Sequence, residues 1–304
     1  MRPFLTFLAF LALFFGLTFA NIAPKVTADY KKLDLAQFYV SEKLDGIRAF
    51  WDGHALYSRS GNKFEAPSYF IENFPDFALD GELYARDLRF EDITSIVKSS
   101  NGNWRALSYN IFDVPKNTKN ANNSDDLKIR LNALKPYLEK STFLKIIPQL
   151  NFDSQNELQK YIKNIKENGG EGVIFRQKNS DVSFKYKFYQ DSECVVLEIL
   201  KGSGKYANKM GSLLCQEVRK KDKILNDKET KALLNELKVS PNDLKEVKNG
   251  YFALPIIFKI GSGFSDFMRD NPPEVGSILT YKYYNLTKRQ IPRHPIFLRI
   301  REID

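Results

Sequence analysis

The chain opens on an almost unbroken apolar run, Pro3 to Phe19, behind a basic Met1-Arg2 start, and turns polar from Asn21 onward. An apolar run short of the ~20 residues a helix needs to span a bilayer, ending at the small residue Ala20, predicts an export signal cleaved after Ala20. Beyond it, β-prone runs alternate with turns: Phe38–Val40, Ile47–Trp51, the Asp52-Gly53 turn and Ala55–Ser58. Further β runs lead into Asp80 and Glu82 and through Leu107 to Asp113. Two segments change to helical spacing. Leu127–Glu139 carries Leu127, Leu131, Leu134 and Leu138, and Asp153–Asn168 carries Leu158, Ile162 and Ile165 between an Asp153 or Ser154 cap and a Gly169-Gly170 stop.

A boundary near residues 188–189 divides the chain into 21–188 and 189–304. The second part reads as five strands, Cys194–Leu200, Gly211–Val218, Ile256–Ile260, Ser277–Tyr284 and Ile296–Ile303, a pattern that suits a small OB-type β-barrel. A charged insertion over about 219–250, with helical text at Thr230–Leu237, is expected to be a solvated excursion from a hairpin. Strands and helices mix without a regular βαβ alternation, so the fold class is α+β.

Composition narrows the partners. The 304 residues are 43% hydrophobic, enough for two cores, and 46 basic against 37 acidic residues give a net charge of +9. That excess points to a polyanion, nucleic acid before membrane surface. Cys194 and Cys215 are the two cysteines and His54 and His294 the two histidines. A four-cysteine zinc site is therefore excluded, and one disulfide or two buried thiols both remain open.

Candidate chemistry lies where strands end. Glu42-Lys43-Leu44-Asp45-Gly46-Ile47-Arg48 places a lysine, an acid and an arginine within a few residues, with Gly46 free to turn or to approach a ligand. A lysine leaving a buried strand is partly desolvated, which favours the neutral amine that attacks phosphorus or carbonyl carbon. Arg48 can fork onto a phosphate or sugar. Arg59, between Ser58 and Ser60 beside Gly61, suits a phosphate. Asp80 and Glu82 share one face of an apolar strand and need cations, a hydroxyl or a metal to be buried there. Phe112 ends a β run with a flat apolar face. Glu171 stands between Gly170 and Gly172, ahead of Arg176, while Lys185 and Lys187 share a strand face, an arrangement that is unfavourable unless they share an anion. Lys201 and Lys205 sit in a basic glycine loop suited to a DNA backbone.

Five of these segments, in this order, resemble the covalent nucleotidyltransferases: K-x-D-G-x-R at Lys43, S-R-x-G at Arg59, L-D-G-E at Glu82, the Phe112 segment, and E-G-V-I at Glu171, with K-x-K at Lys185 and Lys187 completing the set. The likeness is closest to the short, exported ATP-dependent DNA ligases of Gram-negative bacteria, the Lig E type. It implies a nucleotidyltransferase (ATP-grasp-like ligase adenylation) domain followed by an OB domain. It also implies nick sealing in duplex DNA with ATP and Mg²⁺ or Mn²⁺, by a monomer in the periplasm. Under it Lys43 carries AMP, with Lys185 and Lys187 on the α-phosphate. Glu42, Arg48, Glu82 and Phe112 bind the nucleotide. Glu171, with Asp45, holds metal. Arg59, Arg176, Lys201 and Lys205 meet the DNA. The end of the tail, Tyr281–Arg301, does not match the last motif of larger ligases. Two rivals are an RNA-joining or capping enzyme using the same lysine, and a secreted nucleic-acid-binding protein without catalysis.

Overall fold

The computed structural model describes residues 24–26, 29–116 and 124–301. The expected export signal lies outside them. Among the described residues no helix is long and apolar enough to cross a membrane.

Two sheets build the first half. One has four strands in the order Lys25–Val26, Ser183–Lys187, Gly172–Gln177, Phe38–Lys43; the other has five, in the order Leu56–Ser58, Ile47–Trp51, Leu79–Tyr84, Ser108–Asp113, Leu144–Ile146. The strand Phe38–Lys43 runs three residues past its expected end at Val40, so Lys43 is its last residue. Period-two alternation governs the second sheet. Along Leu79–Tyr84 the positions Leu79, Gly81 and Leu83 are buried while Asp80, Glu82 and Tyr84 are only partly covered. The buried side packs on Trp51, Phe70, Trp104 and Tyr109. The Tyr109 hydroxyl has the carbonyls of Ala49 (2.8 Å) and Leu79 (3.1 Å) within reach of its one proton, which satisfies a buried phenol and ties three strands together. The half-open side is left to carry charge.

Helix Gln155–Glu167 covers the four-stranded sheet through Leu158, Ile162 and Ile165, capped by Ser154, whose hydroxyl accepts from the Glu157 amide at 3.2 Å. The single helix expected over Leu127–Glu139 is instead three short turns, Leu127–Leu131, Asn132–Leu134 and Lys135–Leu138. Pro136 explains the break: it lacks an amide hydrogen, and its ring crowds the carbonyl four residues earlier. Helix Phe90–Lys98, with Ile93 and Val97 buried, was not foreseen.

The second half is a six-stranded sheet in the order Lys245–Lys248, Tyr251–Ile260, Met210–Lys220, Gln190–Lys201, Ile278–Tyr283, Ile296–Ile300. The expected barrel does not close by a strand ladder. The link between Ser262 and the last strand is an isolated parallel bridge, with the Phe297 amide donating to the Ser262 carbonyl at 2.9 Å. The chain leaves the sheet at Gly261-Ser262-Gly263 and enters helix Asp266–Asp270, so the pairing goes no further. The charged insertion is helical and mostly exposed, as expected, but it is docked rather than free. It forms helices Lys221–Asn226 and Lys228–Leu237, which bury Ile224, Thr230 and Leu234, and both Ile224 and Leu234 join the second core. Cys194 and Cys215 are two free, buried thiols in that core.

Candidate active site

Lys43, Gly172 and Lys187 stand side by side on three neighbouring strands: Lys43 pairs with Gly172, and Gly172 pairs with Lys187. The close fit requires glycine in the middle. Gly172 has φ +155°, and a Cβ there would lie 2.1 Å from the Tyr186 carbonyl oxygen. Glu171, 8% exposed, therefore sits between two ammonium groups: Lys43 Nζ binds its Oε2 and Lys187 Nζ binds its Oε1. Lys43 also donates to the Leu44 carbonyl at 3.3 Å. The lysine expected to be stranded by desolvation is thus matched by a carboxylate. Lys185, two residues along the same face, has its pKa lowered by burial, and further by the charges of Lys187, Lys43 and Arg59. Two lysines bind one buried acid and a third stands close by, an excess of positive charge that a phosphate would complete.

The facing sheet supplies the other wall. Arg48 and Glu82 are cross-strand partners, and Arg48 grips Asp80 with a fork, Nε to Oδ1 at 3.0 Å and Nη2 to Oδ2 at 2.6 Å. Asp80 thus has its cation. Burial pushes the Glu82 carboxyl up to about 8; Lys43 pulls it back, while Glu171 and Asp80 push the same way as burial. Gly46 lets this turn close down, since a Cβ there would lie 2.3 Å from the Leu83 carbonyl.

Not every expected residue falls in this group. Glu42 alternates away from Lys43, with an oxygen under Gly170, and lines a groove of about 640 Å³ with Tyr84, Lys145 and Tyr161. Arg176 does not stand on an outer, DNA-facing surface. Its guanidinium lies 4.8 Å from the centre of the Phe112 ring and donates to Ser41 Oγ at 2.8 Å. Burial lowers its pKa to about 10, so it stays cationic at neutral pH. Arg48 approaches the same ring at 5.5 Å, so two guanidinium groups flank Phe112. Arg59 is exposed, in a turn held by Ser58, whose hydroxyl accepts from the Asn62 amide at 3.0 Å, with the Ser60 hydroxyl 3.1 Å away. Lys201 and Lys205 belong to the other domain, where Lys205 lies over the Tyr206 ring at 4.7 Å.

Asp45 does not join Glu171 as a ligand pair. Its Oδ2 accepts from Arg293 Nη1 (3.0 Å) and Asn285 Nδ2 (3.2 Å), both on the small hairpin Asn285–Leu286 and Pro292–Arg293 of the second domain. Lys187 reaches the same region, 5.1 Å from the centre of the Tyr284 ring. A cavity of about 410 Å³ lies between the domains, lined by Asp45, Arg86, Glu171, Tyr284 and Arg293. Sequence reasoning missed Asn285, Arg293 and Ser41; only a three-dimensional partner gives them meaning. Among the described residues there is no cluster of three or more His, Cys, Asp or Glu that could hold a metal. Both oxygens of Glu171 are bound by lysine ammonium groups, so a Mg²⁺ there would have to displace one of them.

Residues 18–193 match the ATP dependent DNA ligase domain, and residues 253–301 match the DNA ligase OB-like domain. This chain belongs to the ATP-dependent DNA ligases. It is 33% identical over 309 positions to a DNA ligase of Haemophilus influenzae, an alignment covering 98% of this chain and 99% of the relative. A solved structure of the Lig E DNA ligases shares 32% identity, covers 92% of this chain and 98% of its own, and superposes with a TM-score of 0.72. A second solved structure, Pmar-Lig_Pre, is 18% identical over 93% of this chain and 67% of its own, with a TM-score of 0.68, and shows the common fold alone. The ligase architecture, a nucleotidyltransferase domain followed by an OB domain, is therefore the architecture of this chain.

Proposed function

We propose that this ligase seals nicks in duplex DNA by passing AMP from ATP to Lys43, from Lys43 to the 5′-phosphate of the nick, and then releasing it as the 3′-hydroxyl closes the strand. One observation carries the residue assignment: Lys43 and Lys187 converge on buried Glu171 from strands on either side of it. In the first step a bond forms between Lys43 Nζ and the α-phosphorus, and the bond to pyrophosphate breaks. Glu171, already bonded to Nζ, is the carboxylate placed to take the amine's proton. Lys185 and Lys187 face the charge that grows on the phosphate oxygens, where a fixed cation lowers the barrier most. Arg48, held by Asp80, and Glu82 take the ribose side, and Phe112 takes the base. A bound Mg²⁺ would neutralise phosphate charge from the Glu171 side. Arg59, exposed and next to the lysine cluster, meets the nick phosphate, and Lys201 and Lys205 take the DNA backbone from the second domain.

The test uses the full chain, α-labelled ATP and Mg²⁺. Label should become bound to protein and then move to nicked duplex DNA as sealed product appears. A protein that binds nicked DNA but never takes up label would defeat the reading.

A further inference from the structure

Gln149 is 7% exposed, and no donor among the described residues reaches its Oε1. The other end of the amide is fixed: Nε2 donates to the Ile147 carbonyl at 3.0 Å, and reversing the amide would set two oxygens against each other. The free end of this buried side chain is therefore an acceptor.

Two backbone ladders locate it. The Ile147 amide donates to the Ile111 carbonyl at 2.8 Å, so this segment leaves the strand next to Phe112. Three residues later Leu150 exchanges both backbone hydrogen bonds with Val40, each at 2.8 Å, in an antiparallel bridge. Gln149 thus spans from the strand of Phe112 to the strand of Lys43. Antiparallel order puts it opposite Ser41, and opposed residues share a face. Ser41 is the residue that accepts from Arg176, and Arg176 lies over Phe112.

We infer that Gln149 reads the base of the nucleotide: its Oε1 accepts a hydrogen bond from the 6-amino group of adenine stacked at Phe112. A guanine would bring its 6-oxo acceptor to the same point, acceptor against acceptor. The inference rests on Phe112 being the base platform, as proposed above, and makes Gln149 a specificity-determining residue for ATP.

The experiment compares formation of the Lys43 adduct from ATP, GTP and purine riboside triphosphate, in which hydrogen replaces the 6-amino group. Wild-type protein should favour ATP over purine riboside triphosphate by roughly 10- to 100-fold, the cost of leaving a buried acceptor without its donor. Gln149→Leu should shrink that ratio to within about threefold, mainly by slowing the ATP reaction. Gln149→Glu, which keeps an acceptor oxygen, should retain a clear preference. A wild-type enzyme indifferent to the 6-amino group, or a Gln149→Leu enzyme with the full preference, would overturn the assignment. The wild-type comparison decides even if the leucine variant fails to fold. Absence of an adduct from every nucleotide would instead sink the nucleotidyl-transfer reading on which the inference stands.

Discussion

Arg293→Gln removes the charged half of the contact between the second domain and Asp45, which lies two residues from the nucleophile. The wild-type pair is a single N–O contact of 3.0 Å between side chains 19% and 31% exposed. Exposed ion pairs are worth about 0.2–1 kcal/mol, and breaking a buried pair costs about 3–5 kcal/mol. The partial exposure puts this one near 1–2 kcal/mol, because Asn285 still donates to Asp45 at 3.2 Å and the acid is not left bare. That corresponds to roughly 5- to 30-fold in any step that needs the two domains held together. The assay is single-turnover sealing of a nicked duplex by wild type, Arg293→Gln, Asp45→Asn and the double variant. Asp45→Asn alone will have other effects, being so close to Lys43, so the decisive quantity is the coupling. A coupling of about 1–2 kcal/mol is expected. If the two penalties simply add, the interdomain contact does not hold the working arrangement and the reasoning fails.

The remaining expectations follow from single side chains. Arg59→Ala should leave Lys43 adenylylation nearly intact and slow AMP transfer to DNA by roughly 30- to 1,000-fold, with lysine rescuing only in part because it lacks the guanidinium fork; single-turnover rates for each step check this. The folded state holds a proton on Glu82 between the ordinary 4.5 and about 8, so this group's contribution to stability falls as pH rises through that window. Denaturant midpoints at about pH 6 and about pH 9 should therefore differ less for Glu82→Gln than for wild type, and an unchanged difference would contradict the burial argument. Protein isolated from its native cell should begin at Asn21, and sequencing that finds Met1 first would exclude cleavage after Ala20.

The lysine site was legible because each of its parts lies in or right beside a short strand, where a few consecutive residues fix both direction and chemistry. Lys43, Glu171, Lys185 and Lys187 are such cases, and strand pairing brings them together at Gly172. Arg176 was not legible in the same way. Its side of the strand could be read, but the Phe112 ring that covers it comes from the other sheet. Asp45 was read as a metal ligand because sequence shows an acid beside a nucleophile. It does not show an arginine 248 residues away. The insertion looked solvated because its charges are dense, although three well-spaced side chains, Ile224, Thr230 and Leu234, are enough to dock it. The broken helix at Pro136 was a local signal overridden by a leucine repeat.

The most direct test of the account is where the nucleotide goes. Full-length protein is incubated with ATP and Mg²⁺, digested, and its peptides are weighed. One AMP should be found, on the peptide holding Lys43, and Lys43→Ala should lose it while still slowly sealing a nick that already carries AMP. AMP on any other residue, or on the alanine variant, would contradict the assignment.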